Sequence, residues 1–483
     1  MPGRWGTDLE DGMGNGVTGT AVREPAVPGP RRPRAARRTL AVLGAGVFAI
    51  GTDMFVVAGV LGGIATDLGV TVGSAGLAVT VFALTYAVGA VLLAPPLSAR
   101  PPRRVLVVSS AAFAVLNVSA ALAPALPALL AARLLGALAA SAYVPAAAAA
   151  AAAVMPASHR GRALGTIVGC MSAATVLGAP AGVLLASMLS WRAAFALPAV
   201  LAAAVTGLLL TCDVPRPPES GEPPASGGEA PCPGDAGHPG RQQVPPHQRQ
   251  LRPGRLSHHR PLLSHRDPGQ APRCRAAVRA RLRPLGSPAV AATLVVTFLL
   301  MTASYSTYTY LPQLLAEAAA PMGSGLFIAV FGLAGAAGTW WGGSAADRRG
   351  PGRVVGPALV VSAAAFAVLP HTVATAAGAV VAVAGWGAAV WGFVPAQQHR
   401  LIGLGAATPT LLLALHSGAV HLGSAAGSLL GGLVVDTVGA ARLWTVAVVF
   451  CGAAWAVHTI LARTVLARTV LAGTVLVRKE KRS

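Results

Sequence analysis

Asp53 stands inside the apolar run 40–61, whose middle is interrupted only by Gly51-Thr52-Asp53. Of the 16 acidic residues in the chain it is the one set well inside an apolar stretch. A carboxylate at membrane depth is costly to keep and points to ion or proton coupling, the plain alternative being a structural ion pair. A second group with chemical potential is aromatic. Tyr305, Tyr308 and Tyr310 alternate with Ser306, Thr307 and Thr309, and Trp386 and Trp391 precede Gln397. Large ring faces with a few hydroxyls suit a broad, largely apolar ligand. An interfacial aromatic belt is the alternative, above all for Tyr310. His416 and His421 can titrate, although such histidines more often serve as hydrogen-bonded packing residues. No Ser/His/Asp set, metal cluster or phosphate-cradling Gly loop with Lys is present, so the residues call for no enzyme, no ATP-driven pump, no cofactor and no metal. The five cysteines, Cys170, Cys212, Cys232, Cys274 and Cys451, show no metal or disulfide spacing.

The elements that must position these residues are set by composition. The 483 residues are 54% hydrophobic and 11% charged, with a mean hydropathy of +0.63. Apolar runs of roughly 20 residues recur, the length that crosses a ~30 Å hydrocarbon core as a helix. The reading is an all-α polytopic membrane protein with spans at about 40–62, 74–96, 104–123, 126–150, 163–187 and 192–212, then 288–312, 322–344, 353–370, 373–395, 408–434 and 441–462. Basic residues collect in alternate gaps: Arg34, Arg37 and Arg38 before span 1; Arg100, Arg103 and Arg104; His159, Arg160 and Arg162; Arg348, Arg349 and Arg353; His399 and Arg400; Lys479 and Arg482 at the end. The positive-inside rule then puts both termini in the cytoplasm, with the chain in a bacterial plasma membrane. The formal charge of +21 lies in these gaps and in the tails, which speaks for anionic lipid rather than nucleic acid.

The expected domains are a disordered tail 1–39, a six-helix bundle 40–212, a disordered basic linker 213–286, a second bundle 287–462 and a tail 463–483, all three non-bundle segments cytoplasmic. The linker is rich in Pro, Gly, Arg, His and Gln and cannot bury a core. Its composition also matches a locally out-of-frame translation, a hypothesis that one uninterrupted reading frame on resequencing would remove. The alanine run 146–153 favours helix and close packing. Near the end, the pentad Ala-Arg-Thr-Val-Leu repeats at 462–466 and 467–471, a period that fits neither helix nor strand.

Several motifs carry a family resemblance. Gly342-Gly343-Ser344-Ala345-Ala346-Asp347-Arg348-Arg349-Gly350-Pro351-Gly352-Arg353 follows span 8 and resembles the G-x-x-x-D-R-x-G-R loop of the major facilitator superfamily. The counterpart after span 2 keeps Arg100, Arg103 and Arg104 but has Ala99 in place of the family's Asp. Arg133-Leu134-Leu135-Gly136 is similar to the R-x-x-Q-G element, with Gly136 for Gln. Gly178-Ala179-Pro180-Ala181-Gly182 resembles the antiporter motif of span 5, and Trp191-Arg192-Ala193-Ala194-Phe195 the W-R-x-x-F start of span 6. Gly51-Thr52-Asp53-Met54-Phe55 and the span-11 stretch around His421 look like drug:proton antiporters of the chloramphenicol-efflux and arabinose-efflux type.

The resemblance implies two six-helix bundles acting as a monomer that exports a small, largely apolar compound in exchange for protons. It implies that spans 1 and 4 adjoin. Arg133 lies about seven residues into span 4 and Asp53 about nine before the end of span 1, so at 1.5 Å per residue their depths differ by ~3 Å. Arg133 is then the partner that holds Asp53 ionised until substrate or a conformational change parts them, and protonation of Asp53 allows reorientation. Asp347, Arg348, Gly350 and Arg353, with Arg100 and Arg104, form gating loops in which Asp347 meets an arginine or a helix N-terminus. Gly178, Pro180 and Gly182 give a bent, closely packed span 5. Tyr305, Tyr308, Trp386, Trp391 and Gln397 contact substrate. A sugar or metabolite exporter of the same fold, and a degenerate paralogue that transports nothing, are the alternatives.

Overall fold

The computed structural model describes residues 33–93, 96–97, 100–156, 159–212, 214, 286–318, 323–373, 375–404 and 409–480, with side chains to 463. The sequence expectations for residues 1–32, for nearly all of the central linker and for Ala99 lie outside the described residues; residues 33–39, expected as disordered tail, instead begin the helix Pro33–Val56, whose alanines and arginines are good helix formers. Among those described, twelve helices are long and apolar enough to cross a membrane, and there is no strand. Lipid cannot hydrogen-bond the backbone, so each apolar run satisfies its own N–H and C=O groups as a helix.

Span 1 covers Arg34–Leu68, span 2 Val72–Leu92, span 3 Pro102–Ala121, span 4 Leu126–Val154, span 5 Arg160–Met188 and span 6 Ala193–Thr211. Span 7 covers Pro288–Tyr308, span 8 Ser324–Arg349, span 9 Gly352–Thr372, span 10 Ala376–Leu404, span 11 Leu411–Val438 and span 12 Ala440–Arg463. The face at which the chain enters span 1 is called the entry face below, and the other the far face. Span 1 runs six residues beyond the end of the expected span 40–62 because a 3₁₀ turn, Val57–Val60, leads into a last segment, Leu61–Leu68. Polar Thr66 and Asp67 hide that segment from a hydropathy reading. Asp53 therefore sits near mid-depth, ~22 Å from Leu68 at 1.5 Å per residue. The final helix continues to Glu480 in the backbone. The pentad period is overridden by its strong helix formers, Ala, Leu and Arg, propagating from a formed helix.

Packing repeats between the halves. Span 1 touches spans 4, 5 and 6 as span 7 touches 10, 11 and 12; spans 3–4 and 3–6 pack as 9–10 and 9–12 do. Two six-helix bundles result, meeting where span 2 lies along span 11 and span 5 along span 8. Left-handed glycines close three turns: Gly69 (φ 62°), Gly350 (φ 83°) and Gly439 (φ 87°).

Candidate functional site

Spans 1 and 4 approach because Gly46 has no side chain. A Cβ there would lie 2.0 Å from the Tyr143 Oη, which donates to the Leu43 carbonyl. That approach brings Asp53 and Arg133 together in the interior. Arg133 Nη1 donates to both Asp53 carboxylate oxygens, each at 2.6 Å. Asp53 is fully buried and Arg133 is 3% exposed. The guanidinium also donates through Nε to the Ala78 carbonyl, at 3.4 Å, and lies 4.1 Å from the Phe82 ring centroid. Arg133 thus has a carboxylate, a carbonyl and a ring face, which a buried guanidinium needs to offset its lost hydration.

Two residues from Asp53, the Phe55 ring meets Tyr308 (centroids 6.2 Å apart) and Trp391 (5.9 Å). Tyr308 continues to Tyr305, Phe331 and Trp386, and Trp386 to Phe366. The sequence-derived aromatic set Tyr305, Tyr308, Trp386 and Trp391 therefore forms one cluster. Trp386 Nε1 donates to Ser304 Oγ at 3.0 Å. Gln397 lies apart, donating to the Thr293 carbonyl and the Thr297 hydroxyl on span 7. It follows Trp386 by eleven residues, ~16 Å of helix. Phe55, Phe331 and Phe366 complete the cluster and were not legible as site residues, because a lone Phe in an apolar span carries no signal of its own. Among the described residues, Thr307 Oγ1, Thr309 Oγ1, Trp391 Nε1 and Gln397 Oε1 are buried without a hydrogen-bond partner.

The Major Facilitator Superfamily model matches residues 43–408. The chain belongs to the major facilitator superfamily. The inner membrane transport protein YdhP of Escherichia coli O157:H7 is 30% identical over 161 residues. That stretch is 33% of this chain and 41% of YdhP, so the match spans about two-fifths of that relative's length. Among solved structures, a bacterial homologue of the human lysosomal transporter Spinster has a TM-score of 0.66 at 16% identity, over 90% of this chain and 98% of its own. The nucleoside transporter NupG gives 0.63 at 12% identity, over 89% and 98%. The xylose transporter XylE of E. coli gives 0.61 at 13%, over 87% and 98%. At such identities these structures speak to the major facilitator fold alone.

The remaining major facilitator motifs take their places around this centre. Gly178 packs on Thr52, the neighbour of Asp53; a Cβ on it would lie 1.9 Å from Thr52 Oγ1. Gly182, one turn on, packs on Val56. Between them Pro180 lacks the N–H that a regular helix would use. The helix widens into a π turn, Ala174–Gly178, just before it, with Ala179 N–H reaching back to the Ala174 carbonyl. The motif expected as a loop after span 8 is helical up to Arg349, so Asp347 and Arg348 lie in the last turn of span 8, Gly350 makes the turn and Arg353 lies in the first turn of span 9, with Asp347, Arg348 and Arg353 all exposed. The Asp347 partner is His399 of span 10, at 3.7 Å, in place of the arginine or helix N-terminus expected, since Arg348 turns back to the Ser344 carbonyl. Arg100 and Arg104 are exposed in the equivalent loop of the first half.

Contacts across the halves were missed by sequence. At the far face Asp436, ending span 11, accepts from the Thr71 hydroxyl (2.7 Å) and the Gly73 N–H (3.0 Å) at the start of span 2. Tyr310 is 1% exposed and belongs to this seam rather than to a belt: its hydroxyl donates to the Ser428 carbonyl, and Ser428 Oγ to the Gly76 carbonyl. Deeper, Tyr308 donates to the Phe55 carbonyl, and Tyr86 stacks on His421 with centroids 4.2 Å apart. The available signal was Gly73 and Gly76, whose missing side chains admit Asp436 and Tyr310.

Proposed function

We propose that this protein is a secondary transporter of the bacterial plasma membrane, with both termini cytoplasmic, that exports small, largely apolar compounds in exchange for protons. The buried Asp53–Arg133 pair carries the reading. Separating it leaves a carboxylate in low-dielectric surroundings at a cost of several kcal/mol, which proton uptake relieves. Asp53 is two residues from Phe55, which touches the aromatic cluster, so a ligand wedged among Tyr305, Tyr308, Trp386 and Trp391 would move span 1 and disturb the pair. Substrate and proton then compete through one helix, as exchange requires. The far-face seam is the closed gate of this state, and the loops with Arg100, Arg104 and Asp347 to Arg353 form the gate on the cytoplasmic side. The basic bias of the entry-face loops supports that orientation.

The test expresses the chain and Asp53→Asn in an efflux-deficient host and follows accumulation of apolar drugs with and without a proton uncoupler. The parent lowers accumulation until the uncoupler is added, and Asp53→Asn does not lower it at all. Full activity in Asp53→Asn, or insensitivity to the uncoupler, sinks the mechanism. A second reading, a hydroxylated substrate such as a sugar or nucleoside, draws on the unpartnered Thr307, Thr309, Trp391 and Gln397 groups, which need hydrogen-bonding partners. Solved neighbours include nucleoside and xylose transporters. Uptake or export of labelled sugars in the same host decides it.

A further inference from the structure

An open groove of about 380 Å³ runs along the outside of the first bundle between spans 3 and 4. Ala112 and Ala139, both half-buried, leave it hollow, and Val108 and Leu135 stand on it 59% and 49% exposed. It starts at the entry face, where Arg100 and Arg104 line the mouth, and ends near Leu116. From Arg104 to Leu116 is ~18 Å of helix, close to the depth of one leaflet of a ~30 Å hydrocarbon core. Arg104 opens span 3, which puts the mouth at headgroup level.

Arg103, between Arg100 and Arg104, is committed to the Leu209 and Leu210 carbonyls. Among the described residues neither the Arg100 nor the Arg104 guanidinium has a protein partner, and no carboxylate lines the groove. Two exposed guanidiniums above an apolar slot one leaflet deep match one class of molecule: a phosphate with no compensating cation, carrying an acyl chain.

We propose that this groove is a binding site for an anionic phospholipid of the entry-face leaflet, its phosphate on Arg100 and Arg104 and one acyl chain along spans 3 and 4. The inference is independent of what the protein transports.

The test purifies the full chain from mixed phosphatidylglycerol and phosphatidylcholine membranes and reads retained lipid by native mass spectrometry. The parent retains phosphatidylglycerol selectively. The pair Arg100→Ala/Arg104→Ala lowers that selectivity at least fivefold, while Arg160→Ala/Arg162→Ala, which removes equal charge elsewhere on the entry face, leaves it unchanged. Ala139→Leu, with both arginines intact, displaces the lipid by filling the groove; Ala112→Val serves the same end if the first variant is not monodisperse. Equal loss in both arginine pairs would reduce the effect to general surface charge and overturn the proposal. So would undiminished retention in the filled-groove variant, or equal retention of the two lipids by the parent.

Discussion

Asp53 and Arg133 stabilise each other because each is the other's main compensation in the interior. Removing one side leaves a buried, uncompensated charge, which typically costs ~3–5 kcal/mol. Arg133→Ala should therefore destabilise the protein far more than the double variant Asp53→Asn/Arg133→Gln, whose polar pair carries no charge. Thermal unfolding in detergent reads the difference, and additive losses would argue against coupling between the two. Asp53 announced itself in the sequence because a lone carboxylate in an apolar run breaks composition. Arg133 was legible through its motif. Their contact was expected only through the resemblance, which implies that spans 1 and 4 adjoin; the residues alone do not show that adjacency, which rests on Gly46 admitting Tyr143 from the other helix. Gln397 shows what spacing leaves open: its Nε2 donates to span 7 backbone and hydroxyl groups, apart from the aromatic cluster, while its Oε1 is left without a partner among the described residues.

Span 5 shows how an element serves a site it does not touch. Its π turn and Pro180 set the register in which Gly178 meets Thr52 and Gly182 meets Val56. Gly178→Val would drive methyl groups into Thr52, beside Asp53, and should abolish transport while leaving membrane insertion intact. Thr52→Ala in the same chain should restore part of the activity by making room; no rescue in the double variant would place the Gly178 requirement elsewhere. Helix existence was legible throughout, because twelve apolar runs of membrane length admit little else. Helix ends were less so. The 3₁₀ turn and the last segment of span 1, Leu61–Leu68, placed Asp53 toward mid-depth, and the C-terminal pentads became helix because continuation of a formed helix avoids nucleation.

For the whole molecule, the question is what holds the halves shut at the far face. Asp436 caps the first turn of span 2 from the opposite bundle, accepting from Thr71 and Gly73 where the helix dipole favours negative charge. A contact of this kind, ~1 kcal/mol, shifts a two-state equilibrium several-fold. Asp436→Asn weakens it, so the distance between spin labels at Val70 and Val438 should shift toward a longer population. An unchanged distribution would mean that Tyr310, Ser428 and the glycine packing suffice without the carboxylate.

The sequence by itself determined the membrane class, the twelve helices, the alternation of basic loops and the anomalous carboxylate, because all of these follow from local composition and the cost of charge in lipid. Tertiary structure supplied the contact between Asp53 and Arg133 that the resemblance had implied, and it alone decided the other partners: His399 for Asp347, Asp436 for the start of span 2, and the phenylalanines that complete the aromatic cluster. Those pairings depend on which helix faces meet. Glycines on one helix that admit a specific side chain from another set the meeting, and residues far apart along the chain leave no local trace of it.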